Sequence, residues 1–361
     1  MPAATSRRIR HTSLRSRSRL EAALIVVAFF AFVVSASAHS PFPAHAPAHA
    51  PTRASTRSPA VPWSYRDQVV AGRKLLGVAP SGIKTDLASL DSFSQLIGRQ
   101  PDVVEFYQGF TEPFDTPVAA GASETGALPL DSWGPAGATL ADVASGRDDA
   151  YIASFADQVK DYGGQIALTV GHEMNAPWST WWGRGPADAP AFVTAWRRIH
   201  TIFSQQGADN VIWLWTVNIE AGGAVSPGPY YPGDAYVDWI GVDGYFHQGL
   251  PTTFDSLFGP TLTDLRTHYP QPVLVVETGA LATPLRPTEI QSEFDAVLAA
   301  PDLIGFIWFD YDLQPTDGVD WQLDDDSTSL AVYRRDATAA PFELKPPVAA
   351  DTAPFYPGSA S

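Results

Sequence analysis

The chain has 361 residues, 45% of them hydrophobic, enough to bury one large core, and it contains eleven tryptophans and no cysteine. The missing thiols exclude disulfides and thiolate metal or redox chemistry. A formal net charge of −16 argues against nucleic acid and anionic membranes as partners. Neutral polymers remain, and tryptophan suits them.

The first residues are rich in arginine as far as Arg19, then turn apolar from Ala22 to Val34 and end in Ala36-Ser37-Ala38. These are the n-region, h-region and cleavage site of a secretory signal over residues 1–38, so the protein is expected outside the cell. The apolar run is just short of a bilayer span, so a membrane partner arises only if the segment is kept as an anchor. Residues 39–62, dominated by Pro, Ala, Ser and His, are too poor in large apolar side chains to order themselves and read as a linker. His39, His45 and His49 fall there without carboxylate or cysteine co-ligands, as solvated linker histidines do. A catalytic domain is expected over residues 63–345, followed by a tail over residues 346–361.

From Trp63 onward, β-like runs alternate with helical patterns. Strands are expected at Lys74 to Ala79, Asp102 to Tyr107, Ala127 to Leu130, Gln165 to Val170, Asn210 to Thr216, Val237 to Asp243, Pro272 to Val276 and Leu303 to Trp308. Helical periodicity marks Asp148 to Tyr162, Ala189 to Gln206 and Thr288 to Ala300, and more weakly Asp86 to Ile97 and Leu257 to Tyr269. Eight strands alternating with helices imply parallel crossovers and a closed α/β TIM barrel, (β/α)8. The competing open doubly wound sheet would carry a Gly-rich phosphate fingerprint after its first strand, and Gly77-Val78-Ala79-Pro80-Ser81-Gly82 lacks that spacing. The Gly- and Pro-rich stretch from Val217 to Tyr236 predicts a long loop on the catalytic face.

The chemistry gathers at strand ends. The fourth apolar run delivers His172-Glu173-Met174-Asn175 and then Trp178, Trp181 and Trp182, and the seventh delivers Glu277. In a closed barrel both glutamates face one mouth. Two carboxyl groups so placed can cleave a glycosidic bond, one protonating the leaving oxygen while the other attacks the anomeric carbon. Either alone could be a structural glutamate satisfied by neighbours, but an ionised carboxylate after four apolar strand residues is costly unless used or paired. His-Glu also begins the zinc motif HExxH, yet the fifth position is Ala176, which removes the second ligand. No G-x-S-x-G follows a strand, so a Ser-His-Asp hydrolase lacks support. No metal and no organic cofactor is expected.

His172-Glu173-Met174-Asn175 with Trp178 and Trp181-Trp182, Trp239-Ile240-Gly241-Val242-Asp243-Gly244-Tyr245, Val275-Val276-Glu277-Thr278-Gly279 and Gly305-Phe306-Ile307-Trp308-Phe309 occur in the order and spacing of glycoside hydrolase family 26. The resemblance covers about residues 70 to 335. It implies a retaining (β/α)8 glycosidase in which Glu173 resembles the acid/base and Glu277 the nucleophile. His172 looks like the histidine that sets the acid's environment, and Tyr245 like the tyrosine that hydrogen-bonds the nucleophile and keeps it ionised. Asp243 either orients these groups or satisfies loop backbone. Trp308 looks like the aromatic floor beneath the sugar at the cleavage point.

Sugar rings stack their C–H faces on indole, which makes Trp133, Trp178, Trp181 and Trp182 subsite candidates, with core packing the alternative for each. Trp213 and Trp215 read as packing or barrel-interior residues. The sequence departs from the family pattern twice. Thr169-Val170 stands where many mannanases carry Arg-Pro, and Leu128-Pro129-Leu130-Asp131-Ser132-Trp133 lacks the histidine that several mannanases use to hold mannose. The expectation is a secreted, monomeric, retaining endo-β-glycosidase acting on a polysaccharide, with β-1,4-mannan first. Mixed-linkage β-glucan, β-1,3-xylan or an exopolysaccharide stand behind it, and a non-catalytic carbohydrate-binding barrel is the contrasting class.

Overall fold

A computed structural model describes residues 65, 72–134, 137–179, 187–314, 318–324, 326–338 and 342. The signal segment, linker and tail fall outside the described residues, as do Trp181 and Trp182. The eight apolar runs form eight strands: β1 (Leu75–Pro80), β2 (Val103–Gly109), β3 (Leu128–Gly134), β4 (Ile166–Val170), β5 (Val211–Asn218), β6 (Trp239–Asp243), β7 (Val273–Thr278) and β8 (Leu303–Asp310). Each pairs in parallel with the next, and β8 pairs back onto β1 from Leu75–Gly305 to Pro80–Asp310, closing the barrel in chain order.

The helices are α1 (Ala88–Ile97), α2 (Thr116–Glu124), α3 (Leu140–Ser145), α4 (Asp149–Tyr162), α5 (Ala189–Gln206), α6 (Phe254–Leu257), α7 (Gly259–His268), α8 (Arg286–Ala299) and α9 (Ser327–Ala337). Between β5 and β6 the chain makes three 3-10 turns instead of an α-helix, in keeping with its Gly and Pro content.

Because strand side chains alternate, each strand feeds two cores. Leu76, Val78, Val104, Phe106, Ile166, Leu168, Ile240 and Val242 join the layer under the helices. The alternate positions turn inward, where apolar residues such as Leu130, Ile212 and Leu274 fill the barrel and Glu105, Ser132, Thr169 and Thr216 lie buried nearer its C-terminal end. Glycine is required where the barrel is tightest: a Cβ on Gly241 would approach Thr216 Oγ1 to 2.3 Å.

Two expected sugar-binding tryptophans belong to the outer core. Trp133 is wholly buried, its indole stacked between Phe110 at 4.5 Å and Phe155 at 4.2 Å, with Nε1 donating to Tyr151 Oη at 3.3 Å. It fastens α4 to the barrel and offers no face to a ligand. Trp308 packs against Tyr333 of α9 at 5.6 Å and donates Nε1 to the Trp321 carbonyl at 2.9 Å. The reason is a phase break. Leu303 and Phe306, an odd number of positions apart, both face the helices, because the register slips beside Gly305, whose φ is +153° and whose Cβ would stand 2.0 Å from the Leu75 carbonyl. Trp308 is thereby carried outward, and Phe309 turns to the mouth. Trp213 and Trp215 do pack, against Trp196 and Phe203 of α5 and against Tyr231 and Tyr269 respectively.

Candidate active site

The C-terminal ends of β4 and β7 bring Glu173 and Glu277 together, both buried, as the spacing predicts. One carboxylate oxygen each of Glu173, Asp243 and Glu277 lies within 4.8 Å of the others. Glu173 is the only non-glycine described residue with positive φ, at 55°. The turn is fixed on both sides. Its N–H donates to the Thr216 carbonyl of β5 at 3.1 Å, and its own carbonyl accepts from Ala176 at 2.9 Å. A left-handed non-glycine conformation costs about 1–3 kcal/mol, a strain typical of residues whose aim matters more than their comfort.

Glu173 Oε1 accepts from Asn218 Nδ2 at 2.6 Å, and Oε2 accepts from Trp178 Nε1. Burial pushes its carboxyl up to about 7, with the nearby Glu277 charge acting in the same direction and the two donors opposing them. It is therefore poised to hold a proton near neutrality, as a general acid must. Asn218 is itself braced: its N–H donates to Asn175 Oδ1 at 2.8 Å and its carbonyl accepts from Asn175 Nδ2 at 2.9 Å.

Glu277 takes one phenol on each oxygen, Tyr107 on Oε1 at 2.8 Å and Tyr245 on Oε2 at 2.6 Å. Burial holds both phenols well above their ordinary range, so both stay protonated and donate. Asp243 accepts from the Glu277 N–H at 3.1 Å, which satisfies backbone and ties the end of β6 to Glu277 at once. Burial, then the charges of Glu277 and Glu173, push its own carboxyl well up. His172 is buried beside Tyr107, ring centroids 6.2 Å apart, and desolvation lowers its imidazole so that it stays neutral despite Glu277. Around the opening stand Phe309, Tyr311 and Trp321. Phe309 meets Tyr107 and Tyr245 edge-on, and Trp321 lies 4.7 Å from Tyr245.

The structure thus joins Glu173, Glu277, His172, Asp243, Tyr245 and Trp178 in one mouth, and places Trp133 and Trp308 elsewhere. Trp182 lies outside the described residues. Sequence reasoning missed Tyr107, Asn218 and Trp321. The signals for the first two are faint but real, a tyrosine two positions after an inward glutamate on β2 and an asparagine closing the apolar run of β5. Among the described residues, Glu173, Asp243 and Glu277 are the one carboxylate group with metal-ligand spacing. Five of their six oxygens already receive O–H or N–H donors, Asp243 Oδ2 being the exception, an arrangement that solvates carboxylates and does not fit a resident cation.

A closed parallel barrel with two facing glutamates at the C-terminal ends of β4 and β7 defines the class of protein. The chain matches the profile of glycosyl hydrolase family 26 over residues 144–280, the segment that carries Glu173, Asp243, Tyr245 and Glu277. It is 27% identical to "Endoglucanase H" of Acetivibrio thermocellus across 70% of this chain and 29% of that protein. It is 29% identical to "Mannan endo-1,4-beta-mannosidase A and B" of Caldalkalibacillus mannanilyticus across 26% of this chain and 19% of that protein. The chain therefore spans under a third of the length of these curated relatives. A GH26 β-mannanase structure from Bacteroides ovatus shares its fold, with a TM-score of 0.59 at 18% identity over 81% of this chain and 94% of that one.

Proposed function

We propose that this protein is a secreted, retaining endo-β-glycosidase that hydrolyses a β-linked polysaccharide. One observation carries the reading: one carboxyl oxygen of Glu173 lies within 4.8 Å of one of Glu277. Retaining pairs stand roughly 5–5.5 Å apart, whereas inverting pairs stand about 6.5–9.5 Å apart to admit a water. Glu277 attacks the anomeric carbon, and Glu173 passes its proton to the leaving oxygen. Once Glu277 is tied up as a glycosyl ester its charge is gone, and with it one of the causes that raise the Glu173 carboxyl. Glu173 then becomes the base that activates water, and Glu277 is released. Tyr107 and Tyr245 take their hydrogen bonds back as the carboxylate reforms.

For the sugar, two backbones have support. Mannan, the first expectation, is supported by the β-mannosidase relatives. A β-glucan is supported by the endoglucanase relative, which matches over a far larger share of this chain, and by Thr169-Val170 standing where the mannanase pattern has its Arg-Pro and a third strand without the mannanase histidine. We place β-glucan first and β-mannan second. Reducing-end release from mixed-linkage β-glucan, β-mannan and β-1,3-xylan, with calorimetric binding on the same polymers, tests both levels. Turnover of the glucan above the mannan is the expected result; the reverse restores mannan, and binding without new reducing ends makes the barrel a carbohydrate-binding protein.

A further inference from the structure

β5 extends past its partner. The last register pair between β4 and β5 is Leu168–Trp213, yet β5 runs on to Asn218, while β4 ends at Val170 and the chain turns toward Asn175. Main-chain groups of β5 that point toward β4 beyond that pair need other partners. Thr216 and Asn218, two positions apart, both point that way. The Thr216 carbonyl takes the Glu173 N–H at 3.1 Å. Asn218 is met by a side chain: Asn175 Oδ1 accepts its N–H at 2.8 Å, and Asn175 Nδ2 donates to its carbonyl at 2.9 Å. A carboxamide offers an acceptor and a donor as a peptide group does, so Asn175 continues the β4–β5 ladder past the end of β4.

The second Nδ2 hydrogen goes elsewhere. It donates to the Val225 carbonyl at 3.0 Å, and the Asn175 carbonyl accepts from the Val225 N–H at 2.9 Å. Val225 lies in the Gly- and Pro-rich loop between β5 and β6 and is 37% exposed, so this two-bond grip fastens an open loop to the turn that carries the acid. Asn175 is itself buried, and its demand is specific: aspartate has no donor, serine and threonine carry one O–H, and glutamine is one methylene longer. We propose that Asn175 is a positioning residue for the reaction, holding the end of β5 where Asn218 Nδ2 meets Glu173 Oε1 at 2.6 Å and joining the β5–β6 loop to the acid as one rigid unit. The three residues close a triangle. Glu173 and Asn175 stand two apart in one turn, and Asn218 is bonded to both. The Asn218 donor favours the ionised form of Glu173 and offsets part of the rise that burial and the Glu277 charge impose. The titratable groups facing Glu173 are Glu277 on β7 and Asp243 and Tyr245 at and just past the end of β6, and neither asparagine adds a charge to that set.

The inference rests on the glycosidase reading, and its tests separate the two. Without the Asn218 donor, Glu173 keeps its proton to higher pH. Asn218→Ala should therefore lower kcat/KM on the best polysaccharide about tenfold and move its basic limb to higher pH by up to about one unit, the scale of one hydrogen bond to a charged group. Asn175→Ala should move the limb in the same direction, and the double variant no further than Asn218→Ala alone, because Asn175 acts on the acid through Asn218. A basic limb unmoved by either single variant, or shifts that add in the double variant, overturns the proposal; a residue that only supports the fold would lower the melting temperature and leave the limb in place. Amide hydrogen exchange of the wild type, resolved to single residues by mass spectrometry, supplies a readout independent of turnover and of how the variants fold. The Val225 N–H should exchange as slowly as the strand amide of Asn218, although its residue is exposed in a loop. Exchange at the rate of an unprotected loop amide refutes the grip. A wild type that cleaves none of the polymers refutes the glycosidase reading, and the exchange at Val225 still decides on its own whether Asn175 holds the loop.

Discussion

Glu173 gathers three kinds of control on one side chain: a left-handed backbone, two hydrogen-bond donors and a carboxyl raised to about 7. Because the folded state raises this acid, the protonated form is the one it favours, and that form is lost as pH climbs through about 7. The kcat/KM profile on polysaccharide should therefore fall on its basic side near neutrality. Glu173→Ala should lower turnover of polysaccharide about 10²- to 10⁴-fold, the usual worth of a general acid, and spare aryl glycosides in the glycosylation step because a good leaving group needs no proton. The basic limb should vanish from the aryl profile of that variant. Equal losses on both substrates in single-turnover measurements would remove Glu173 from the acid role. At this scale the sequence is legible where a polar residue ends an apolar run, as Glu173 and Glu277 do. Tyr107 and Asn218 escape because an aromatic or amide among apolar neighbours looks like the strand itself until its facing is known.

Among elements, the eight strands and five helices, three of clear and two of weak periodicity, are readable, and β3 runs past its expected end because Asp131, Ser132 and Trp133 break the apolar pattern without breaking the strand. Four helices escape for physical reasons, α6 (Phe254–Leu257) because it is a single turn. α2 is built of small residues around Gly121 and owes its start to Asp115 accepting from Val118 at 3.3 Å, α3 is under two turns long, and α9 is largely polar with an Asp326 cap. The largest discrepancy is one of phase on β8. The resemblance puts Trp308 in the mouth, whereas the irregular register beside Gly305 sends it under α9 and gives the mouth to Phe309. Trp308→Ala should accordingly behave as a core deletion, costing about 3–5 kcal/mol and lowering the melting temperature by many degrees, with KM of the folded enzyme near wild type. Phe309→Leu, a milder change of volume, should raise KM. A Trp308→Ala protein that melts normally but binds substrate poorly would return Trp308 to the sugar.

For the whole molecule, closure of the barrel is what turns two distant strand ends into one site. β4 and β7 do not pair with each other; only a closed ring with its strands in chain order sets Glu173 and Glu277 face to face over a shared interior. The distance so produced has a stereochemical consequence. With one carboxyl oxygen of each glutamate within 4.8 Å of the other's, the pair has the close spacing of a retaining site, and under the proposed function Glu277 bonds to the sugar before water arrives. Water then enters from the face that the leaving group left, activated by Glu173, and the two inversions restore the starting configuration. A β-linked polymer should therefore give the β-anomer as the first product, with the α-anomer growing in only as the free sugar mutarotates. Proton NMR of a fresh digest, recorded within the first minutes in buffered D₂O, follows both anomeric signals. An α-anomer appearing first would mean a single displacement by water, and with it a working enzyme whose glutamates stand farther apart than the barrel holds them here.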